Sequence, residues 1–249
     1  MADVRYDGAD ASSIERMCGV PRVELVDATT STLDVAHALA AAGAPAGTLV
    51  LADRQTAGRG RAGKAWASAS GAGVWLTLIE RPDDPAALGV LALRLGLALA
   101  PVLDPFADAA IRLKWPNDLW VGERKLAGVL AEARWRAGVI EWVAIGIGIN
   151  VRTPDGLADA TGLGAGASRL DVVRAVVPAA RGAVTRLGDL TAADLAAYAS
   201  RDVAVGRLIV EPGAGTVLGV AGDGALLVQT AAGTSRFHAG LLVFAGGKA

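Results

Sequence analysis

Within residues 52–66, ADRQTAGRGRAGKAW, the run 58–64 alternates three glycines (Gly58, Gly60, Gly63) with three cations (Arg59, Arg61, Lys64). Glycine tolerates backbone conformations closed to other residues and lets a backbone approach a ligand closely. Arginine carries a planar fork of donors that matches carboxylate and phosphate oxygens. A flexible cationic loop between two apolar strands is therefore a candidate anion clamp. A solvated surface loop, or one that touches RNA, is the competing reading.

A second stretch with chemical content is 110–136, AIRLKWPNDLWVGERKLAGVLAEARWR. Its pattern predicts a strand over 111–115, broken by Pro116. Asn117 and Asp118 then make a turn, because both bond their own backbone. A short strand over 119–121, a hairpin turn over 122–124 and a long strand over 125–135 follow. Strict alternation would put Lys125, Ala127, Val129 and Ala131 on one face, with Gly128 leaving room on the other. Lys125 then stands at a strand start among small neighbours, where a ligand can lie flat. A surface lysine at a strand end, and an ordinary turn aspartate at 118, are the plain alternatives.

Glycine weakens a strand interior, so Gly146 and Gly148 in VIEWVAIGIGINV (139–151) point to close approach of a ligand or another backbone, or to a β-bulge. Asn150 ends that strand with an amide able to bond a ribose or a phosphate. Residues 29–32 bunch hydroxyls at the start of a helix whose free amides suit a carboxylate, a ureido oxygen or a phosphate, although plain capping explains them too. Only four of the 24 cations are lysines: Lys64, Lys114, Lys125 and Lys248. Three of these lie inside such stretches, which suits sites that need a compact ammonium rather than a fork.

These groups need positioning elements. The sequence predicts strands over 23–26, 48–53 and 73–79. It predicts helices over 32–42, 85–103, from Ser168 to 187 with a kink at Pro178, and over 192–200. Residues 1–21 read as a tail or one short helix, too few for a helix-turn-helix module. Residues 152–167 read as a loop. From 203 the texture changes to short β runs separated by PGAG, GDG and AAG, which predicts tight hairpins in a small β-barrel or sandwich and a boundary near Ser200.

With 249 residues, 53% of them hydrophobic, the chain can bury a sizeable core and is not globally disordered. A net charge of -1 excludes bulk electrostatic binding to nucleic acid, though not a local cationic patch. Cys18 is the only cysteine, so neither an intrachain disulfide nor a cysteine-rich zinc site is available, which fits a cytosolic setting. The acidic start shows no signal peptide. The apolar run 88–103 contains Arg94 and reads as a buried helix, too short to span a bilayer comfortably.

Four motifs, taken in order, make the chain resemble a biotin protein ligase: STLDVA (31–36), QTAGRGRAGKAW (55–66), KWPNDLWVGERKLAGVLAE (114–132) and GIGINV (146–151). The resemblance covers about 22–245. It implies an α+β fold: a mixed β-sheet flanked by helices, like the catalytic domain of class II aminoacyl-tRNA synthetases, and a small SH3-like β-barrel at the C-terminus. The implied units are an N-terminal tail (1–21), a ligase domain (22–200) and a C-terminal domain (201–249). The implied activity uses biotin, ATP and Mg2+ to make biotinyl-5′-AMP. The biotin then passes to a lysine of a carboxylase's biotin carboxyl carrier domain. On the biotin and adenylate side the resemblance places Ser31, Thr32, Leu33, Gln55, Arg59, Gly60, Arg61, Lys125, Gly128, Gly146 and Gly148, with Lys125 and Arg61 in the chemistry. On the nucleotide side it places Lys114, Asn117, Asp118, Asn150 and Trp66, with Trp66 over the adenine and Asp118 as the candidate Mg2+ ligand.

Three departures stand out. Leu33 replaces the family's usual asparagine, Lys64 replaces an arginine, and FHAGLLVF lacks the usual acidic residue after its glycine. No separate DNA-binding module precedes the motifs, so the expectation is a cytoplasmic enzyme without DNA or membrane partners, monomeric or weakly dimeric. A lipoate or octanoate transferase of related fold is the enzymatic rival. A biotin- or nucleotide-sensing protein without turnover is the rival of another class. The 58–66 loop is expected to be mobile without ligand, since its glycines and charges bury little.

Overall fold

A computed structural model describes residues 4–246. Lys248 and the first three residues of the expected tail lie outside the described residues. The rest of that segment forms a helix, α1 (Ala11–Cys18), capped by Asp10 and pinned by Ile14 and Cys18 in the core.

The chain then alternates. Strand β1 (Val23–Thr29) leads through the Ser31 cap into α2 (Thr32–Ala41). Strands β2 (Thr48–Gln55) and β3 (Gly73–Glu80) flank the Gly/Arg loop. Helix α3 (Pro85–Leu103) follows, with Pro85 in its first turn, where the missing N–H costs nothing. Next come β4 (Arg112–Lys114), β5 (Asp118–Val121), β6 (Arg124–Arg136) and β7 (Val139–Asn150). They form one seven-stranded sheet in the order β1-β2-β3-β7-β6-β5-β4, parallel at β1/β2 and antiparallel elsewhere.

One face of this sheet packs on α1, α3 and α4 (Arg169–Val184), a helix that continues through Pro178. The other face carries α2, which buries Leu33, Ala36 and Ala40 against Val50, Trp142 and Ala144. It leaves the strand ends near β6 and β7 uncovered. Each large apolar side chain buried on the core face stabilises the fold by about 1.5–3 kcal/mol. With its continuation to Phe106, α3 is long and apolar enough to cross a membrane by length and composition, contrary to the shorter span read from the sequence. Ten of its residues are nonetheless buried in the core, Arg94 among them. The Arg94 guanidinium donates to the carbonyls of Arg186, Leu187, Gly188 and Asp189, so the charge in this apolar helix caps the end of α4 and the turn after it.

Helix α5 (Ala192–Arg201), opened by a Thr191–Asp194 capping box, leads to a second sheet. This sheet is antiparallel, five-stranded and ordered β11-β10-β9-β8-β12, with β8 (Leu208–Glu211), β9 (Gly215–Val220), β10 (Leu226–Thr230), β11 (Gly233–Phe237) and β12 (Val243–Phe244). The mixed sheet flanked by helices and the separate C-terminal β layer agree with the expected α+β architecture.

Strict alternation fails along β6. The β5–β6 ladder slips by one residue: Leu119 pairs with Ala127, but Trp120 pairs with Lys125. This bulge places Leu126 and Ala127 both in the core, fully buried. Lys125 is thereby turned onto the face of Gly128, away from Ala127 and Val129. A Cβ at position 128 would stand 3.4 Å from the Lys125 ammonium.

Candidate active site

The uncovered face holds a cavity of about 940 Å³ between the Gly/Arg loop, the edge of the large sheet and the C-terminal sheet. That is at the upper end of the range for small-molecule sites. Its floor is set by register. Gly128 pairs directly with Gly148 across β6 and β7, and Leu130 with Gly146. Facing glycines leave bare backbone, and two side chains use the space. The Leu33 side chain lies where a Gly146 Cβ would meet it at 3.3 Å, and the Trp66 indole lies where a Gly148 Cβ would meet Cε2 at 2.6 Å. Trp66 also packs edge-on to Trp75, with its Nε1 buried and without a hydrogen-bond partner. The loop thus reaches over the glycine floor through Trp66.

Lys125 stands beside this floor. Its Nζ lies 2.6 Å from Asp118 Oδ1 and 5.1 Å from the centre of the Trp66 ring. That contact is an ion pair only, since Oδ1 is buried and accepts no hydrogen bond of ordinary geometry. The Lys125 backbone is fixed by the 152–167 loop: its N–H donates to Asp159 O at 2.8 Å, and its carbonyl accepts from Thr161 N at 2.9 Å. Nothing in the turn-rich composition of that loop signals this grip. Asn150 Nδ2 helps to hold the same loop through Thr161 O at 3.1 Å. Asn117 Nδ2 donates to Val129 O at 2.7 Å, locking the turn against β6.

At the α2 end, Gln55 Oε1 accepts from both the Thr32 N–H (2.8 Å) and the Thr32 hydroxyl (3.1 Å), while Gln55 Nε2 donates to Ser68. Thr77 donates to Thr32 Oγ1. Ser31 accepts from the Leu33 N–H as the helix cap and keeps its own proton to give. The second Gln55 amide proton is also free for a ligand, so this end offers donors suited to a carbonyl oxygen.

The opposite end carries positive charge. Lys114 Nζ lies 4.4 Å from the Trp120 ring centre and 5.3 Å from that of Phe244, and the Arg207 guanidinium stacks 3.6 Å from the centre of Phe244. Burial pushes the Lys114 ammonium below its usual value. Asp118 opposes that shift, and Lys125, Arg207 and Lys64 add to it. Burial likewise lowers Arg61 against the pull of Asp118. Among the described residues, Arg61, Lys64 and Lys114 have no carboxylate partner, whereas Arg207 pairs with Glu123 at 3.2 Å. Cations gathered around an open cavity and left unneutralised suit a polyanion.

The structure therefore gathers every site residue expected from the sequence around one cavity. Gly60 lines it from the loop. Arg59 borders it too, but its guanidinium pairs with Asp34 and with Glu132. Trp120, Phe244, Arg207 and the 157–160 segment escape sequence reasoning. Trp120 lies within the 114–132 motif but carries no role there, the 157–160 segment lies outside the motifs, and Arg207 and Phe244 come from the C-terminal region, where no motif marks them.

The model of the biotin/lipoate A/B protein ligase family matches residues 25–150. A biotin–[acetyl-CoA-carboxylase] ligase of Mycobacterium tuberculosis is 36% identical over 225 residues, covering 82% of this chain and 80% of that one. The bifunctional ligase/repressor BirA of Bacillus subtilis is 42% identical over 139 residues, 53% of this chain but 43% of its own length. The chain thus spans less than half of that relative. Among solved structures, a mutant of the Aquifex aeolicus biotin protein ligase in complex with biotin superposes with a TM-score of 0.73 at 25% identity, covering 90% of this chain and 98% of that one. With the family's motifs matched over half its length and a relative matched over most of it, this chain belongs to the biotin/lipoate A/B protein ligase family.

Proposed function

We propose that the protein is a biotin protein ligase. A biotin carboxylate oxygen attacks the α-phosphorus of ATP and the bond to the pyrophosphate oxygen breaks, giving biotinyl-5′-AMP and pyrophosphate. The ε-amine of a carrier lysine then attacks the acyl carbon, loses a proton and releases AMP. The observation that carries this reading is Lys125. It is an ammonium on a rigid, bulged strand at the junction of a donor-lined apolar slot and a cluster of unneutralised cations, where an acyl carboxylate and a phosphate would meet. Cations fixed where charge develops are what phosphoryl and nucleotidyl transfer require.

In this reading Ser31, Thr32 and Gln55 receive the ureido ring, Leu33 forms an apolar wall, and Gly128, Gly146 and Gly148 leave room for the ligand. Lys125 and Arg61 stabilise the reacting carboxylate and α-phosphate. Lys114, with Asn117, Asp118 and Asn150 nearby, serves the nucleotide end. Trp66 covers the adenylate and, with Arg59 and Gly60, closes the site to water, which would hydrolyse the anhydride. Asp118 would hold Mg2+ through its other carboxylate oxygen, because Oδ1 is paired with Lys125 at 2.6 Å, and one carboxylate plus phosphates is a common Mg2+ set. The ion would neutralise phosphate charge.

The chain's units in this reading are 1–21, 22–200 and 201–249; the two separate sheets support the boundary near 200, while Tyr6, Ile14 and Cys18 of the first unit pack into the main core. The partner is a biotin carboxyl carrier domain. DNA and membranes are not partners, which the near-neutral charge supports, and the enzyme is cytoplasmic and monomeric or weakly dimeric. The test is transfer: the protein, biotin, Mg2+ and ATP should raise the mass of an apo carrier domain by one biotinyl group, and a carrier with its target lysine replaced by arginine should stay unmodified. An unmodified wild-type carrier would overturn the reading.

A further inference from the structure

Arg59 sits in the loop whose cations the site needs, yet its charge is already used. One guanidinium nitrogen makes a very short contact with Asp34 in the first turn of α2, and the other lies 3.3 Å from Glu132 Oε2 on β6. Both carboxylates are themselves held. Thr30 donates to Asp34 Oδ2 at 2.9 Å, and His37 Nε2 lies 2.9 Å from Glu132 Oε2. Trp142 Nε1 lies 3.0 Å from His37 Nδ1. An indole N–H can only donate, so Nδ1 must carry the lone pair. Neutral His37 therefore holds its proton on Nε2 and gives it to Glu132. Donors run in one direction from Trp142 through His37 to Glu132, and Arg59 meets them from the loop side.

These residues lie on the outer side of α2, β6 and β7, where His37, Glu132, Arg134 and Trp142 border a second, smaller cavity. The chemistry proposed above uses none of them. Their geometry has another consequence. Asp34 and Glu132 belong to two rigid elements, and a guanidinium bridging them ties the near end of the loop to both. The far end is seated by Trp66 on the glycine floor. Between these anchors Ala62, Gly63, Lys64 and Ala65 are exposed and bond only locally, as in Gly60 N to Lys64 O at 2.7 Å.

We propose that Asp34 and Glu132, the latter held by His37, form a latch that positions the 58–66 loop by gripping Arg59. This is the main work of that arginine. Asp34, Glu132 and His37 are positioning residues. Resting on the ligase reading, the latch would govern how long the adenylate is retained, more than how fast it forms.

The test uses the loop's own trypsin sites, the bonds after Arg59, Arg61 and Lys64, in the full ligand-free chain. Glu132→Gln and Asp34→Asn each remove one carboxylate charge. Each should speed cleavage at these bonds about two- to fivefold, the range that partly exposed pairs support, with the melting temperature unchanged. Arg174→Gln, which breaks a remote exposed pair with Asp171, should cleave like wild type. Equal rates for wild type, Glu132→Gln and Asp34→Asn would overturn the proposal. If Glu132→Gln destabilises the whole chain and is cut everywhere, Asp34→Asn, on an exposed side chain, still decides. A second readout is the share of biotinyl-AMP lost to solvent against that transferred to the carrier, which should rise in both variants. A wild type that makes no adenylate would sink the ligase reading and leave the trypsin result standing.

Discussion

Lys125 Nζ and Asp118 Oδ1 stand 2.6 Å apart across the β5–β6 hairpin, at the one point where that ladder slips by a residue. The bulge turns the lysine onto the bare face formed by Gly128 and Gly148, and the 152–167 loop fixes its backbone. Both side chains keep some exposure, 32% and 19%, so the pair contributes modestly to stability. Its charge faces the cavity.

Replacing Lys125 by alanine should therefore leave the fold in place and remove the chemistry. Adenylate formation should fall about 10²–10³-fold, the usual cost of losing one fixed stabiliser of developing charge. Circular dichroism should be unchanged. Rapid-quench detection of biotinyl-AMP checks this, and a wild-type yield in the variant would remove Lys125 from the mechanism.

Lys114 faces aromatic rings and like charges, and the nearby Asp118 is already paired with Lys125, so its work is to meet an anion at the C-terminal side of the cavity. Lys114→Ala should raise KM for ATP about 10- to 100-fold, the worth of a charge-assisted hydrogen bond, with KM for biotin little changed. Steady-state kinetics with each substrate varied separately would show it. An equal rise in both constants would contradict the assignment.

Gly148→Ala would put a Cβ 2.6 Å from the Trp66 indole. Overpacking of this kind costs about 1–3 kcal/mol unless the neighbour moves, and Trp66, on a loop, is free to move. The variant should fold, shift the Trp66 emission and bind biotin at least about tenfold more weakly by calorimetry. Wild-type affinity would mean that the glycine floor does not face the ligand.

Asp202, at the joint between α5 and the C-terminal sheet, is buried. Its Oδ1 accepts from Ala204 N at 2.7 Å, and its Oδ2 has no hydrogen-bond partner. Burial, opposed by that hydrogen bond and by Arg112, pushes its carboxyl up to about 6. The folded state thus holds a proton that the unfolded chain, near 3.8, releases. Stability from this group is greatest below about pH 4 and falls as pH rises to about 6, by up to about 3 kcal/mol. Asp202→Asn should therefore gain in melting temperature over wild type as pH rises from about 4 to about 7. A gain independent of pH would contradict this.

Most of the framework was legible in the sequence because its signals are local. Ser31 caps α2, Pro85 opens α3, and Gly146 and Gly148 interrupt an apolar strand that has to leave room. The face of Lys125 was not legible, because a bulge is a property of two strands and alternation is read from one. The C-terminal contribution was missed for a similar reason. Arg207 and Phe244 meet Lys114 and Trp120 only through tertiary contact, and nothing in FHAGLLVF alone points toward a lysine 130 residues earlier. Arg59 shows the converse. Its place in a cationic loop marked it as a ligand contact, while its two carboxylates come from α2 and β6.

The central claim is tested most directly by exchange of labelled pyrophosphate into ATP with the wild-type protein, Mg2+ and biotin, and no acceptor. It isolates the first step and needs no knowledge of the carrier. The account predicts exchange that depends on biotin and is absent with lipoate or octanoate. Biotin bound by calorimetry without any exchange would contradict it, and would point instead to a sensor in which Leu33 shapes a site without turnover.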